Sequence, residues 1–157
     1  MVHQSPITNH ESRVTNLEEF KMFDLSKKEY KFPITVEFED VDSYKIVHHT
    51  RFVAYLERAR VHFLTDLGFD LYPKDLSIVL FSLEVRFKKP AFLLDQLTVS
   101  VFVTSLDEFR LELGYKIKRG KELLLRAKTG IVFMDSLTRE LVPAPEKYTA
   151  KMQQFVL

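Results

Sequence analysis

The sequence predicts an α+β domain in which one long amphipathic helix is wrapped by an antiparallel sheet of about five strands. Three observations carry this expectation. Phe32–Phe38 alternates apolar and polar residues, with Phe32, Ile34, Val36 and Phe38 on one face and Thr35 and Glu37 on the other. A period of two marks a strand. From Thr50 to Leu67 the period changes, with Phe52, Leu56, Ala59, Phe63 and Leu67 recurring every three to four residues. That spacing makes an apolar stripe along a helix. After Gly68 the chain holds four long β-rich runs: Ser77–Lys88, Gln96–Leu106, Arg110–Arg119 and Leu123–Met134.

Each element has its own local cause. Residues 1–16 are polar and rich in Ser, Thr and Asn, and read as a loose tail. Leu17, Phe20 and Phe23 suggest one or two helical turns docked on the domain within Leu17–Leu25. Residues 1–28 therefore read as an N-terminal extension, partly flexible, before a domain spanning 29–157. Glu39-Asp40-Val41-Asp42-Ser43 is a polar break suited to a turn. Thr50 is a plausible N-cap for the helix, and Gly68 a plausible stop. Arg119-Gly120-Lys121 and Leu106–Phe109 read as hairpin connections. Pro90, Pro143 and Pro145 lie outside the runs, where they break no ladder. The last dozen residues suit a short helix or coil. The helix bears more apolar positions than a surface helix needs, so a sheet wrapping it buries its stripe best.

Composition narrows the classes of function. The 157 residues suit one domain with a sizeable core. A net charge of +1 supplies no global field for nucleic acid or an anionic membrane. The absence of cysteine excludes disulfides, thiol nucleophiles and thiolate metal sites. The first 31 residues have no apolar run of the kind a signal peptide carries, and no stretch of about 18 apolar residues exists to span a bilayer. The default expectation is a cytoplasmic protein. His48 and His49 have no third ligand at metal-binding spacing, so neither a metal nor another cofactor is expected.

The segment Val36–Phe52 resembles the start of the 4-hydroxybenzoyl-CoA thioesterase family, and within it the Tol-Pal-associated acyl-CoA thioesterases. The matching residues are Asp40, Asp42, Ile46, Val47, His49, Phe52 and the helical run Glu57-Arg58-Ala59-Arg60. Downstream, Glu84-Val85-Arg86-Phe87, Pro90-Ala91 and Asp95 follow the same family pattern, so the likeness covers roughly residues 30–147. It implies a hotdog fold dimerised through the sheet edge, with tetramers a further option. It implies hydrolysis of an acyl-CoA, or of an acyl carrier protein thioester. It also implies that Asp42 is the catalytic carboxylate and that the helix N-terminus near His49 binds the thioester carbonyl.

Elementary chemistry supports the same pairing. A thioester carbonyl gains negative charge on attack and needs preorganised donors, which a helix N-terminus supplies. A carboxylate on the preceding turn can act as nucleophile or as general base. His49 is a second catalytic candidate, against the alternative of a structural hydrogen-bonder. Glu57, mid-helix, is a rival acid or base, against the alternative of an ion pair with Arg58 or Arg60. Lys45, Ile46, Val47 and Thr50 would line a substrate site. Lys88 and Lys89 would meet the phosphates of CoA, with Lys118, Arg119 and Lys128 as further basic candidates. Two positions depart from the family: Lys45 replaces Gly, and Arg51 replaces Asn or Ser. Lys45 motivates one alternative function, a non-catalytic acyl-CoA-binding module. The histidines with Glu57 motivate another, a dehydratase.

Overall fold

In the computed structural model of the chain, residues 23–24 and 26–157 are described. The expected tail over residues 1–16 and most of the expected Leu17–Leu25 turn lie outside them. Phe23–Asp24 form strand β1 rather than a helical turn, pairing with Tyr30 and Glu29 of β2 (Glu29–Thr35).

Strand β2 begins and ends three residues earlier than the alternation suggests. Val36 continues the extended chain against the backbone of Leu94 and Asp95. The Asp40 carboxylate then captures the Glu37 N–H at 2.9 Å, and Phe38–Asp40 turn as a short 3₁₀ segment. Phe38, expected on the inner face with Ile34 and Val36, is consequently 81% exposed.

Helix α1 (His49–Asp66) buries Phe52, Tyr55, Leu56, Ala59, Phe63 and Leu64. Its N-cap is His48, not Thr50, because the His48 ring nitrogen Nδ1 accepts the Thr50 N–H at 3.3 Å. Its end matches the expectation at Gly68, which takes φ +83°. There the N–H groups of Gly68 and Phe69 return to the carbonyls of Thr65 and Leu64, a Schellman closure.

Four long strands follow: β3 (Leu76–Phe87), β4 (Gln96–Leu106), β5 (Arg110–Arg119) and β6 (Glu122–Asp135). With the short β7 (Leu141–Val142) they complete an antiparallel sheet of seven strands, not about five. The two additions, β1 and β7, have two residues each, too short to leave a period in sequence. The order is β1-β2-β4-β5-β6-β3, with β7 beside β6. Helix α1 lies against β2 and β4. Buried Leu97, Val99, Val101 and Val103 of β4 meet Leu111, Leu113, Tyr115 and Ile117 of β5 in the core. Nor is the helix single: α2 (Glu146–Met152) packs on the segment after α1, with Tyr148 stacked on Phe69 at 3.8 Å between centroids. No helix among the described residues is long and apolar enough to cross a membrane.

Candidate active site

Between β2 and α1 the chain makes a tight hairpin. Val41 bridges Val47, the Asp42 N–H donates to the Ile46 carbonyl at 2.9 Å, and the Lys45 N–H donates to the Asp42 carbonyl at 2.9 Å. Lys45 closes this turn with φ +65°. That is the left-handed shape glycine adopts freely and lysine at a cost. The substitution therefore keeps the loop geometry that a glycine at this position would provide. The Lys45 side chain is exposed and does not line the groove described next.

The hairpin, the first turn of α1 and the end of β3 enclose an open groove of about 430 Å³. Asp42, Ile46, Val47, His49, Lys88 and Lys89 all line it. Six residues expected at the site are thus together. The Asp42 carboxylate accepts the Tyr44 N–H on Oδ1 at 2.8 Å, and its Oδ2 has no partner among the described residues. His49 is exposed, and its backbone N–H has no hydrogen-bond acceptor among the described residues. It therefore offers a donor at the positive end of α1. The next two amides are occupied, Thr50 by the His48 ring and Arg51 by the His48 carbonyl.

Thr50 does not line the groove: its hydroxyl is 2.8 Å from the His48 Nδ1, completing the cap. Glu57 is exposed on α1 and also lies outside the groove. The ion pair expected between it and Arg58 or Arg60 does not form among the described residues. Lys89 is held by Glu122 at 2.9 Å, whereas the Lys88 ammonium has no partner among the described residues. Arg119 pairs with Asp95 and Glu122, and Lys128 with Glu112, and neither lines the groove.

Three lining residues escaped the sequence reading: Phe52, Phe87 and Pro90. Phe52 and Phe87 place their rings 5.9 Å apart, giving the groove an apolar wall. All three sit inside the motifs that carried the resemblance, but Phe52 reads as part of the helix's apolar stripe and Phe87 as a strand residue. Asp40 has a structural place, as its distance from the hairpin tip suggests. It is 2% exposed and accepts the Tyr55 hydroxyl at 2.7 Å. Burial, reinforced by that carboxylate, pushes the Tyr55 phenol well above the ordinary tyrosine range, so it stays protonated and donating.

Residues 36–152, from the end of β2 through α2, match the family model of the thioesterase-like superfamily. The chain belongs to that superfamily. An Escherichia coli relative named acyl-CoA thioester hydrolase YbgC is 28% identical over 129 residues, covering 80% of this chain and 96% of its own. A 1,4-dihydroxy-2-naphthoyl-CoA hydrolase from Synechococcus elongatus is 23% identical over 124 residues, covering 76% of this chain and 91% of its own. The crystal structure of a 1,4-dihydroxy-2-naphthoyl-CoA thioesterase from Synechocystis superposes with a TM-score of 0.76 at 22% identity, over 80% of this chain and 96% of that one. The hotdog architecture of the thioesterase-like superfamily accounts for the long α1 cradled by an antiparallel sheet.

Proposed function

We propose that this protein hydrolyses acyl-CoA thioesters, with Asp42 as the catalytic carboxylate and the His49 N–H as a donor to the thioester carbonyl. The observation that carries the proposal is the pairing of these two groups in one groove. Among the described residues, the second carboxylate oxygen of Asp42 and the amide of His49, at the start of an 18-residue helix, have no partner there. The acyl group would lie against Phe52 and Phe87, and Lys88 would meet a CoA phosphate.

In the reaction, the carbonyl carbon gains an oxygen and the C–S bond breaks. The thiolate of CoA leaves and takes up a proton. Asp42 either removes the proton from an attacking water or attacks the carbon itself and is released by water. The His49 N–H stabilises the oxygen on which charge develops. Coenzyme A is proposed over acyl carrier protein because the names of both curated relatives specify CoA esters. Within the superfamily, the Asp40–Arg60 motif supports placement near the Tol-Pal-associated acyl-CoA thioesterases.

A homodimer is part of the proposal. Strand β3 is a 12-residue edge of the sheet that exposes Leu80, Phe81, Leu83 and Phe87. An apolar edge of that length is a template for pairing with a second chain. The position of Glu57 outside the groove weighs against the dehydratase alternative. The test is a panel of aliphatic and aromatic acyl-CoAs assayed for released thiol. Turnover above background on at least one is expected. Saturable binding without turnover would instead favour a non-catalytic binding module.

A further inference from the structure

We propose that Arg51 is a positioning residue for this site. Acting through Asp40, it locks the Asp40–His48 hairpin to the first turn of α1 and so fixes Asp42 relative to the His49 N–H in the groove that both line. The inference rests on the thioesterase reading for its kinetic consequence, but its structural consequence can be tested separately.

Arg51 replaces the Asn or Ser of the resembling family, and the sequence suggests no role for it. Its side chain turns away from the groove. Arg51 Nε lies 3.1 Å from Asp40 Oδ1, and Nη2 lies 3.1 Å from Glu39 Oε1 and 3.4 Å from the Glu39 carbonyl. Asp40 is the joint of the frame. Its Oδ2 accepts the Glu37 N–H at 2.9 Å and the Tyr55 hydroxyl at 2.7 Å, and its carbonyl accepts the His48 N–H at 2.9 Å. Through its carboxylate and its carbonyl, Asp40 thus ties together the segment after β2, both arms of the hairpin and the first two turns of α1. Asp42 lies two residues beyond this joint, and His49 two residues before Arg51.

The burial of Asp40 makes the arginine necessary rather than decorative. A buried carboxylate with one partner removed keeps its desolvation cost and loses its compensation. It recovers solvation by moving toward water, and the hairpin moves with it. A shift of about 1 Å between reacting groups is enough to lower turnover roughly 100-fold. Glu39 is largely exposed, so its pairing with Arg51 adds little on its own.

The experiment compares wild type with Arg51→Ala, Arg51→Lys and Asp40→Asn. Each is assayed for kcat and KM on the best acyl-CoA of the panel, for its melting temperature, and for amide hydrogen exchange. Turnover is measured well below every melting temperature. Arg51→Ala should lower kcat roughly 10- to 100-fold and leave KM within about twofold, since geometry rather than binding is lost. Exchange should accelerate at the amides of Asp42, Lys45 and His48, which the hairpin hydrogen-bonds, and stay unchanged at the centre of α1. Arg51→Lys should recover part of kcat, because an ammonium can still pair with Asp40, and added guanidinium ion should restore part of the activity of Arg51→Ala.

A folded Arg51→Ala protein with wild-type kcat would overturn the proposal. So would a lowered melting temperature with hairpin exchange unchanged, which would mark a merely stabilising contact. If Arg51→Ala does not fold, Arg51→Lys and Asp40→Asn decide by the same readouts. If wild type hydrolyses no acyl-CoA, the thioesterase reading fails, and hairpin exchange alone decides the positioning role.

Discussion

Lys45 donates its N–H to the Asp42 carbonyl at 2.9 Å while holding φ +65°, so a left-handed lysine closes the turn that displays the candidate catalytic aspartate. A left-handed L-residue costs about 1–2 kcal/mol, of which glycine's greater freedom in the unfolded chain takes back part. Lys45→Gly should therefore stabilise the protein by about 0.5–1 kcal/mol, read as a rise of about 1–4 °C in melting temperature. Acyl-CoA turnover should persist, because the turn keeps its shape. A fall in melting temperature would show that the Lys45 side chain contributes more than its backbone costs.

Lys88 and Lys89 are adjacent in sequence but not equivalent in the fold. Glu122 holds the Lys89 ammonium at 2.9 Å, and Lys88 projects beside the groove with no partner among the described residues. Lys88→Ala should raise KM for an acyl-CoA about 3- to 10-fold with little change in kcat, since a lost phosphate contact removes uniform binding. The same substitution should leave KM unchanged for an acyl-pantetheine, which has no nucleotide phosphates. An equal rise for both substrates would place Lys88 at the acyl end instead.

Strand β3 predicts the assembly. Phe81→Lys with Leu83→Lys puts two charges on an exposed edge, where Lys is a recognised obstacle to strand pairing. Light scattering should give wild type about twice the 18.5 kDa chain mass and the double variant one chain mass. A monomeric wild type, or a double variant that stays dimeric, would rule out this edge as the interface.

Much of this fold is legible in the sequence alone. The 3.6 period of Phe52, Leu56, Ala59 and Phe63 marks α1, and Gly68 marks its end, because burial and backbone freedom act locally. The four long strands are legible for the same reason. What escaped depended on contacts between distant segments. The strand after Thr35 breaks because Asp40 takes the Glu37 N–H, and the helix cap falls two residues early because the His48 ring accepts the Thr50 N–H. Phe87 reads as a strand residue, yet an edge strand has no neighbour to cover it, and its ring becomes a wall of the groove. Asp42, Ile46, Val47 and His49 were legible as site residues because they lie within one short segment. The engagement of Arg51 by Asp40 was not, since nothing in the spacing tells an arginine which way to turn.

The central claim is that one carboxylate in this groove breaks the thioester. Asp42→Asn is the sharpest variant, because the amide oxygen can still accept the Tyr44 N–H and preserve the turn while the charge is lost. Measured on the best acyl-CoA of the panel, with the melting temperature confirming the fold, kcat should fall by roughly 100-fold or more with KM little changed. Wild-type turnover by a folded Asp42→Asn protein would contradict the account.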